Sequence, residues 1–211
     1  MGPHFDRDGD KISDLIEARN VGTNTVNFRP TIPDTDPSQA VGDPDGVPNP
    51  GSLVNGILLP EEGIGYRHFY GADPFPNSDN WGTLQFIKII EQVGREWNLK
   101  HPEGPRISIN DLSKRQGGYF GHTSHRNGQD ADLRYIRSDG SEGPFSFDVD
   151  PIADYNQTLS RELVLLFCKA GIILIYVDGR ANVDHPDPAG CQIEAIGGHS
   201  DHFHIGIIDW L

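Results

Sequence analysis

The sequence predicts an α+β fold with a mainly antiparallel sheet. Two segments carry an apolar stripe at helical spacing, and several short segments alternate apolar and polar residues as strands do. Helices and strands are mixed along the chain without a repeated strand–helix–strand period, which argues against a parallel sheet. The 211 residues provide for one full domain and a smaller segment. We expect an irregular acidic segment over residues 1–50 and the folded domain over residues 51–211.

Two helices are predicted in this domain. The first is expected over about residues 81–98, where apolar residues recur at spacings of three and four, with Asp79 or Asn80 as its N-cap. The second is expected over residues 158–169, with Asn156 as a possible cap and a glycine just after its end.

Four strands are predicted over residues 106–111, 130–137, 172–177 and 202–209. The third is uniformly apolar and is expected to be buried. In the second and the last, side chains alternate between an apolar face and a polar face. The polar face of these two strands is formed by Asp130, Asp132, Arg134, His202 and His204, and the apolar face by Ala131, Leu133, Tyr135, Phe203, Ile205 and Ile207.

The charge balance limits the classes of partner. The chain has 31 acidic and 17 basic residues, for a formal net charge of −14. This argues against nucleic acid or an anionic lipid surface, since both are bound through basic faces. No apolar run approaches the ~20 residues that span a bilayer. Residues 1–4 are neither basic nor apolar, so we expect a signal peptide to be absent from this chain.

The acidic segment contains a run that resembles the calcium loops of EF-hand, dockerin and thrombospondin type 3 repeats. Alternate residues of a tight loop can supply the 6–8 hard oxygen ligands that Ca²⁺ takes. The expected calcium ligands are Asp6, Asp8, Asp10, Ile12 through its backbone carbonyl, Asp14 and Glu17. Lys11 stands where the EF-hand has glycine, and the alternative interpretation is a solvated acidic linker.

Five of the nine histidines lie in two short segments flanked by glycine, residues 121–132 and 197–204. Because residues two apart in a strand share a face, His202 and His204 project together, and Asp132 projects from a strand likewise. Gly128 allows a loop to fold His125 back toward Asp132. Two histidines and one aspartate form a tetrahedral Zn²⁺ site with a fourth position for water, which is typical of catalytic zinc. Each residue alone would more often be an ordinary surface residue, but their concentration favours a metal site.

These residues carry a resemblance to the LAS metallopeptidases, and in particular to the penicillin-insensitive murein endopeptidases. The matching motifs are Ser124-His125 followed by Asp132, and His202-x-His204, within about residues 52–211. The resemblance implies a small central, mainly antiparallel sheet flanked by helices, and hydrolysis of peptide cross-links in peptidoglycan. It also implies one Zn²⁺ held by His125, Asp132 and His204. His122 matches a family position and is expected to be a fourth metal contact or a substrate ligand.

Three residues are candidates for the general base of such a hydrolase. His202 is the first, because it shares a face with His204 and an imidazole titrates near the working pH. It could instead stay charged and stabilise the oxyanion. His199 is the second candidate. Asp201 is the third, since a dipeptidase branch of the family has a glutamate at this spacing, although alternation turns Asp201 away from the metal.

Other readings stay open. The same residues suit a D,D-carboxypeptidase or dipeptidase that trims stem ends, and the chain could instead be a non-catalytic, calcium-dependent cell-surface binding module. An acidic cleft could bind the stem's free amine, and Arg126 or Arg134 could pair its carboxylate.

We expect an exported protein, in the periplasm, at the cell surface or outside the cell. Cys168 and Cys191 either form a disulfide, as export and the resemblance favour, or remain two thiols.

Overall fold

The computed structural model describes residues 39–41, 51–69, 79–119, 124–183 and 190–207. Within them the helices are α1, Leu84–Lys100, and α2, Gln157–Lys169. The strands are β1 Gln39–Val41, β2 Ser52–Val54, β3 Ile57–Leu58, β4 Glu62–Gly63, β5 Tyr66–His68, β6 Trp81–Gly82, β7 Ile107–Ile109, β8 Asp130–Arg134, β9 Leu174–Val177, β10 Gln192–Ala195 and β11 His202–Gly206. Short 3₁₀ turns lie at Ile152–Asp154 and Gly179–Ala181.

The central sheet of the described residues has seven strands in the order β10-β9-β11-β8-β7-β5-β4. Its neighbours are antiparallel except for two parallel pairs, β9 with β10 and β5 with β7. Two-stranded pairs form between β1 and β2 and between β3 and β6. The predicted α+β fold with a mainly antiparallel sheet is therefore confirmed. The β1–β2 pair crosses the predicted boundary at residue 50, which itself stays a prediction.

The four predicted strands correspond to β7, β8, β9 and β11, each shorter than expected. The remaining strands were not predicted. Most of them have only two or three residues, too few for an alternation to be recognised. Their positions are set by pairing with other segments, which a local pattern does not contain.

Helix α1 begins later than predicted, and its predicted cap at Asp79 or Asn80 is wrong. Trp81 and Gly82 are extended because they pair with β3, so the helix cannot begin before them. Thr83 is the N-cap, and its Oγ1 accepts a hydrogen bond from the Phe86 amide at 3.3 Å.

Helix α2 has the predicted cap, since Asn156 Oδ1 accepts from the Leu159 amide at 3.0 Å. Its buried residues, including Leu163 and Phe167, join those of α1 and of the apolar sheet face in one core cluster. That face includes Leu133 of β8 and Phe203 of β11, as the alternation predicted. Neither helix, nor any other in the described ranges, is long and apolar enough to span a membrane.

Cys168 and Cys191 form a disulfide, with their Cα atoms 5.3 Å apart. Cys168 lies in the last turn of α2, and Cys191 directly precedes β10. The bond therefore joins the start of an edge strand of the described sheet to the end of α2. Export predicts such a bond, and the alternative of two free thiols is wrong.

Glu142 links two neighbouring parts of the sheet through arginines. Its carboxylate accepts from Arg106 Nε at 2.8 Å and Nη2 at 2.9 Å, and from Arg67 Nη1 at 3.0 Å. Arg67 lies in β5, and Arg106 directly precedes β7, the parallel partner of β5. The hydrogen bonds from Arg106 hold the pKa of Glu142 at about 2, well below its ordinary value.

We expect removal of the disulfide to destabilise the fold. Replacing Cys168 and Cys191 by alanine should lower the free energy of unfolding by about 2–4 kcal/mol, because the cross-link restricts the unfolded chain. Urea denaturation of the variant and of wild type, with and without reductant, measures this. Comparing oxidised with reduced wild type isolates the cross-link from the loss of sulfur packing. Equal stability of these two forms would contradict the expectation.

A second expectation concerns the acid dependence of stability. Because the folded pKa of Glu142 is depressed from 4.5 to about 2, its contribution is complete above pH 4.5 and is lost as the pH falls toward 2. Glu142→Gln should lower the free energy of unfolding at pH 7 by about 1–2 kcal/mol, allowing for partial solvent screening. The difference from wild type should shrink across this pH range in urea denaturation.

Glu91→Gln is the matched control for this experiment. Glu91 pairs with Arg95 one helical turn away at 4.0 Å, on the surface of α1. Its replacement should cost less than about 0.5 kcal/mol at every pH. An equal effect of the two substitutions would show that Glu142 has no special role in joining the strands.

Candidate metal centre

The pairing of β8 with β11 brings distant polar residues together. In this antiparallel register His204 lies opposite Asp132, and His202 lies opposite Arg134. Residues two apart in each strand share a face, so these side chains project from the same side of the sheet. The predicted polar face thus becomes one continuous surface across the two strands.

His125 reaches this surface from the loop before β8. Its backbone is left-handed, with φ +65°, a conformation uncommon outside glycine. The ring Nδ1–H donates to the Leu112 carbonyl at 2.8 Å, which directs Nε2 toward Asp132 Oδ1 at 3.1 Å. Gly128 allows the loop to close, because a Cβ on it would lie 2.8 Å from the Gly82 Cα.

The resulting cluster of His125, Asp132 and His204 could hold a metal ion. One ligand atom from each residue lies within 4.8 Å of the others, and the three residues are 1–4% exposed. His204 Nδ1 lies 2.9 Å from Asp132 Oδ1, so both rings direct a nitrogen at the same carboxylate. Two imidazole nitrogens and a carboxylate oxygen are a donor set that fits Zn²⁺.

The electrostatics of the cluster favour a positive charge between its members. Burial by itself would raise the pKa of Asp132, but the facing histidines outweigh it and lower that pKa well below its ordinary value. Burial would lower the pKa of His204, but Asp130 and Asp132 raise it to about 10. Burial likewise opposes the rise in the pKa of His125 that Asp132 causes. The carboxylates that favour protonated rings would equally stabilise a bound cation.

Asp130 supports the cluster from behind His204, a role that the sequence did not reveal. Its Oδ1 accepts from His204 Nε2 at 3.0 Å, and the residue is 1% exposed. A carboxylate on the outer nitrogen of a ligating histidine is a common feature of metal sites, where it orients the ring. The shared face of Asp130 and Asp132 was the available signal, since it places both beside β11.

Tyr176 is a second neighbour that the sequence did not reveal. It lies opposite His204 in the β9–β11 pair, and its ring stacks on the imidazole with centroids 5.7 Å apart. His204 is thus held on one side by a ring and at its outer nitrogen by Asp130. Tyr176 belongs to the strand predicted from its apolar run, so its own pattern gave no sign of this contact.

His202 lies beside the cluster, with Nε2 3.7 Å from Asp132 Oδ2. Its Nδ1 lies 2.8 Å from Asp201 Oδ1, and this carboxylate also forms an ion pair with Arg134. The hydrogen bond with His202, and then Arg134, hold the pKa of Asp201 at about 2. Such a carboxylate is a weak base. The geometry therefore favours a role for Asp201 in orienting the His202 ring, and it favours this role over the predicted role of Asp201 as general base.

His199 lies farther out, with its ring centroid 4.9 Å from that of His202 and 6.3 Å from that of His204. Its Nδ1 is 3.1 Å from the Ile196 carbonyl, and its own carbonyl accepts from the Tyr135 hydroxyl at 3.0 Å. Burial and the nearby His202 lower the pKa of His199. It is therefore placed as a neutral ring at the rim of the cluster.

Several predicted site residues lie outside the described residues. They are His122 and the expected calcium ligands Asp6, Asp8, Asp10, Ile12, Asp14 and Glu17. Their roles stay predictions from the sequence.

The sequence profile of the penicillin-insensitive murein endopeptidases matches residues 45–145, which confirms the predicted resemblance to this family. The matched stretch contains His125 and Asp132, and the fold brings His204 to them from outside it. No curated protein matches the chain.

We expect metal binding to depend on the cluster and on its support. His125→Ala should abolish stoichiometric zinc binding, and Asp130→Asn should weaken it about 10–100-fold, because Asp130 orients His204. Elemental analysis after dialysis against limiting Zn²⁺, together with competition against a chelator, measures both effects.

His101→Ala is the matched control, since that ring pairs with Glu162 at 3.2 Å, away from the cluster. It should bind zinc like wild type. Full zinc content in His125→Ala would contradict the assignment of the cluster as the metal centre.

Proposed function

Because residues 45–145 match the penicillin-insensitive murein endopeptidases, we propose that this chain is a zinc-dependent hydrolase of bacterial peptidoglycan. It cleaves peptide cross-links that contain D-amino acids. The observation that carries the proposal is the convergence of His125, Asp132 and His204 on one buried point. A spatially convergent donor set of this kind is what a single catalytic metal requires.

The three residues of the cluster would hold the metal, and two neighbours keep them in place. The Leu112 carbonyl fixes the His125 ring, and Asp130 fixes the His204 ring. A Zn²⁺ ion held there would supply Lewis-acid chemistry, which polarises a scissile carbonyl and makes an attacking water more acidic. The surrounding burial excludes other water from the cluster and strengthens its electrostatic interactions.

His202 is the general base in this proposal. Asp201 is ionised, so His202 Nδ1 carries the hydrogen of their 2.8 Å contact. In the neutral ring Nε2 then has its lone pair on the side of Asp132, 3.7 Å away. From that position Nε2 can accept a proton from the attacking water and return it to the leaving amine. Asp201 and Asp132 stabilise the charged ring between these two transfers.

Two further proposals concern the setting of the enzyme. We place it in the periplasm, at the cell surface or outside the cell, where peptidoglycan is accessible.

We also propose that residues 6–17 bind Ca²⁺, a proposal supported by their alternating carboxylates. Elemental analysis for calcium before and after deletion of these residues tests the second proposal.

Digestion of purified sacculi tests the proposed reaction. The zinc-loaded protein should convert cross-linked muropeptide dimers into monomers, as identified by mass spectrometry. His202→Ala should lower this rate about 10²–10⁴-fold and retain its zinc, because it removes the base and leaves the ligands. His101→Ala should keep the wild-type rate.

The products also decide between the enzymatic alternatives. Release of terminal D-alanine with intact cross-links would assign a carboxypeptidase instead of an endopeptidase. No product from zinc-loaded wild type would remove the hydrolase proposal. An undiminished rate in His202→Ala would remove His202 as the base.

A further inference from the structure

One segment beside the metal centre has a charge opposite to that of the chain. Residues 112–129 contain Lys114, Arg115 and Arg126 and no acidic residue, in a protein of net charge −14. Both ends of this segment adjoin the cluster. Leu112 holds the His125 ring through its carbonyl, and Arg126 follows His125 in the chain.

The two arginines of this segment differ from most others in the structure. Arginines that pair with a carboxylate within 4.0 Å are Arg67, Arg95, Arg106, Arg134, Arg137 and Arg180. Among the described residues, neither Arg115 nor Arg126 has such a partner. Arg115 instead lies over the Trp81 ring, 5.2 Å from its centroid, and Arg126 lies over the Tyr119 ring at 5.0 Å. A guanidinium on an aromatic face keeps its N–H edges for a planar anion.

The backbone holds these groups in a fixed relation to the cluster. The Trp81 amide donates to the Ser113 carbonyl at 3.0 Å, and the Gly118 amide donates to the Arg126 carbonyl at 2.8 Å. Gly117 permits this approach, since a Cβ on it would lie 2.0 Å from the Arg126 carbonyl oxygen. The described residues of this segment, 112–119 and 124–129, are therefore held at a defined place by the backbone. Tyr119 is 65% exposed.

We propose that the guanidinium groups of Arg115 and Arg126 bind carboxylates of the peptidoglycan stem peptides next to the bond that is cleaved. The two arginines and the rings on which they lie, Trp81 and Tyr119, are termed the basic rim. This inference rests on the proposed function and specifies how that site recognises its substrate. A stem peptide is anionic and would be repelled by a protein of this net charge unless a local positive surface faced it. Arg134, the other arginine considered for this role, is already paired with Asp201.

Binding to sacculi with free or blocked carboxyl groups tests the basic rim. Sacculi are used as prepared or after conversion of their carboxyl groups to neutral methylamides. Zinc-loaded wild type should bind the free form about tenfold more tightly than the amidated form in co-sedimentation at low salt. Arg115→Gln combined with Arg126→Gln should lose this preference and bind both forms as wild type binds the amidated one.

Arg161→Gln is the matched control. Arg161 is exposed on α2 and, like the rim arginines, has no carboxylate within 4.0 Å among the described residues. It should keep the preference for free carboxyl groups.

On soluble cross-linked dimers the double variant should raise KM about tenfold with kcat within about twofold, because the rim binds substrate and does not act on the reacting bond. Its zinc content should equal that of wild type.

The outcomes separate this inference from the proposed function. If wild type cleaves cross-links but the double variant binds and cleaves like Arg161→Gln, the proposed role of the basic rim is contradicted. The proposed hydrolase activity is then unaffected. If wild type binds free and amidated sacculi equally, the rim is likewise overturned. If wild type neither binds nor cleaves, both proposals fall.

Discussion

The antiparallel register of β8 and β11 sets the positions of both the apolar core and the polar cluster. It places Asp132 opposite His204 and Leu133 opposite Phe203. A shift by one residue would turn the histidines into the apolar core and Phe203 out of it, since side chains alternate with period two. The large apolar side chains of one face therefore determine the pairing. The arrangement of polar groups on the other face follows from the same pairing.

The cluster itself is costly for folding. Asp130, Asp132, His125 and His204 are all nearly fully buried, and charged groups lose much hydration free energy when they leave water. Their mutual hydrogen bonds offset part of this cost, but apolar residues of similar size would serve stability as well. A site that concentrates buried carboxylates and imidazoles is better explained by chemistry than by stability. His202 and Asp201 lie farther out and are partly exposed, so the buried cluster is continuous with the protein surface.

Residues whose environment is set by the local sequence could be predicted, whereas residues whose environment is set by strand pairing could not. Alternation in β8 and β11 predicted their two faces, and Asn156 was recognised as a cap. The Thr83 cap was missed because β3 holds the preceding residues extended. Tyr176 and Asp130 were missed for a related reason, since their contacts with His204 arise only when three strands lie side by side. Motif spacing could indicate the three residues of the cluster, but only the fold shows which residues surround them.

The position of β11 determines when the candidate metal centre can form. It is the last strand of the described residues, yet it lies in the interior of the sheet, between β8 and β9. His204 is separated from Asp132 by 72 positions in the chain. A chain in which β11 has not yet been synthesised or paired therefore lacks one of the three residues that could hold a metal ion. The proposed hydrolase would be inert until β11 has entered the sheet.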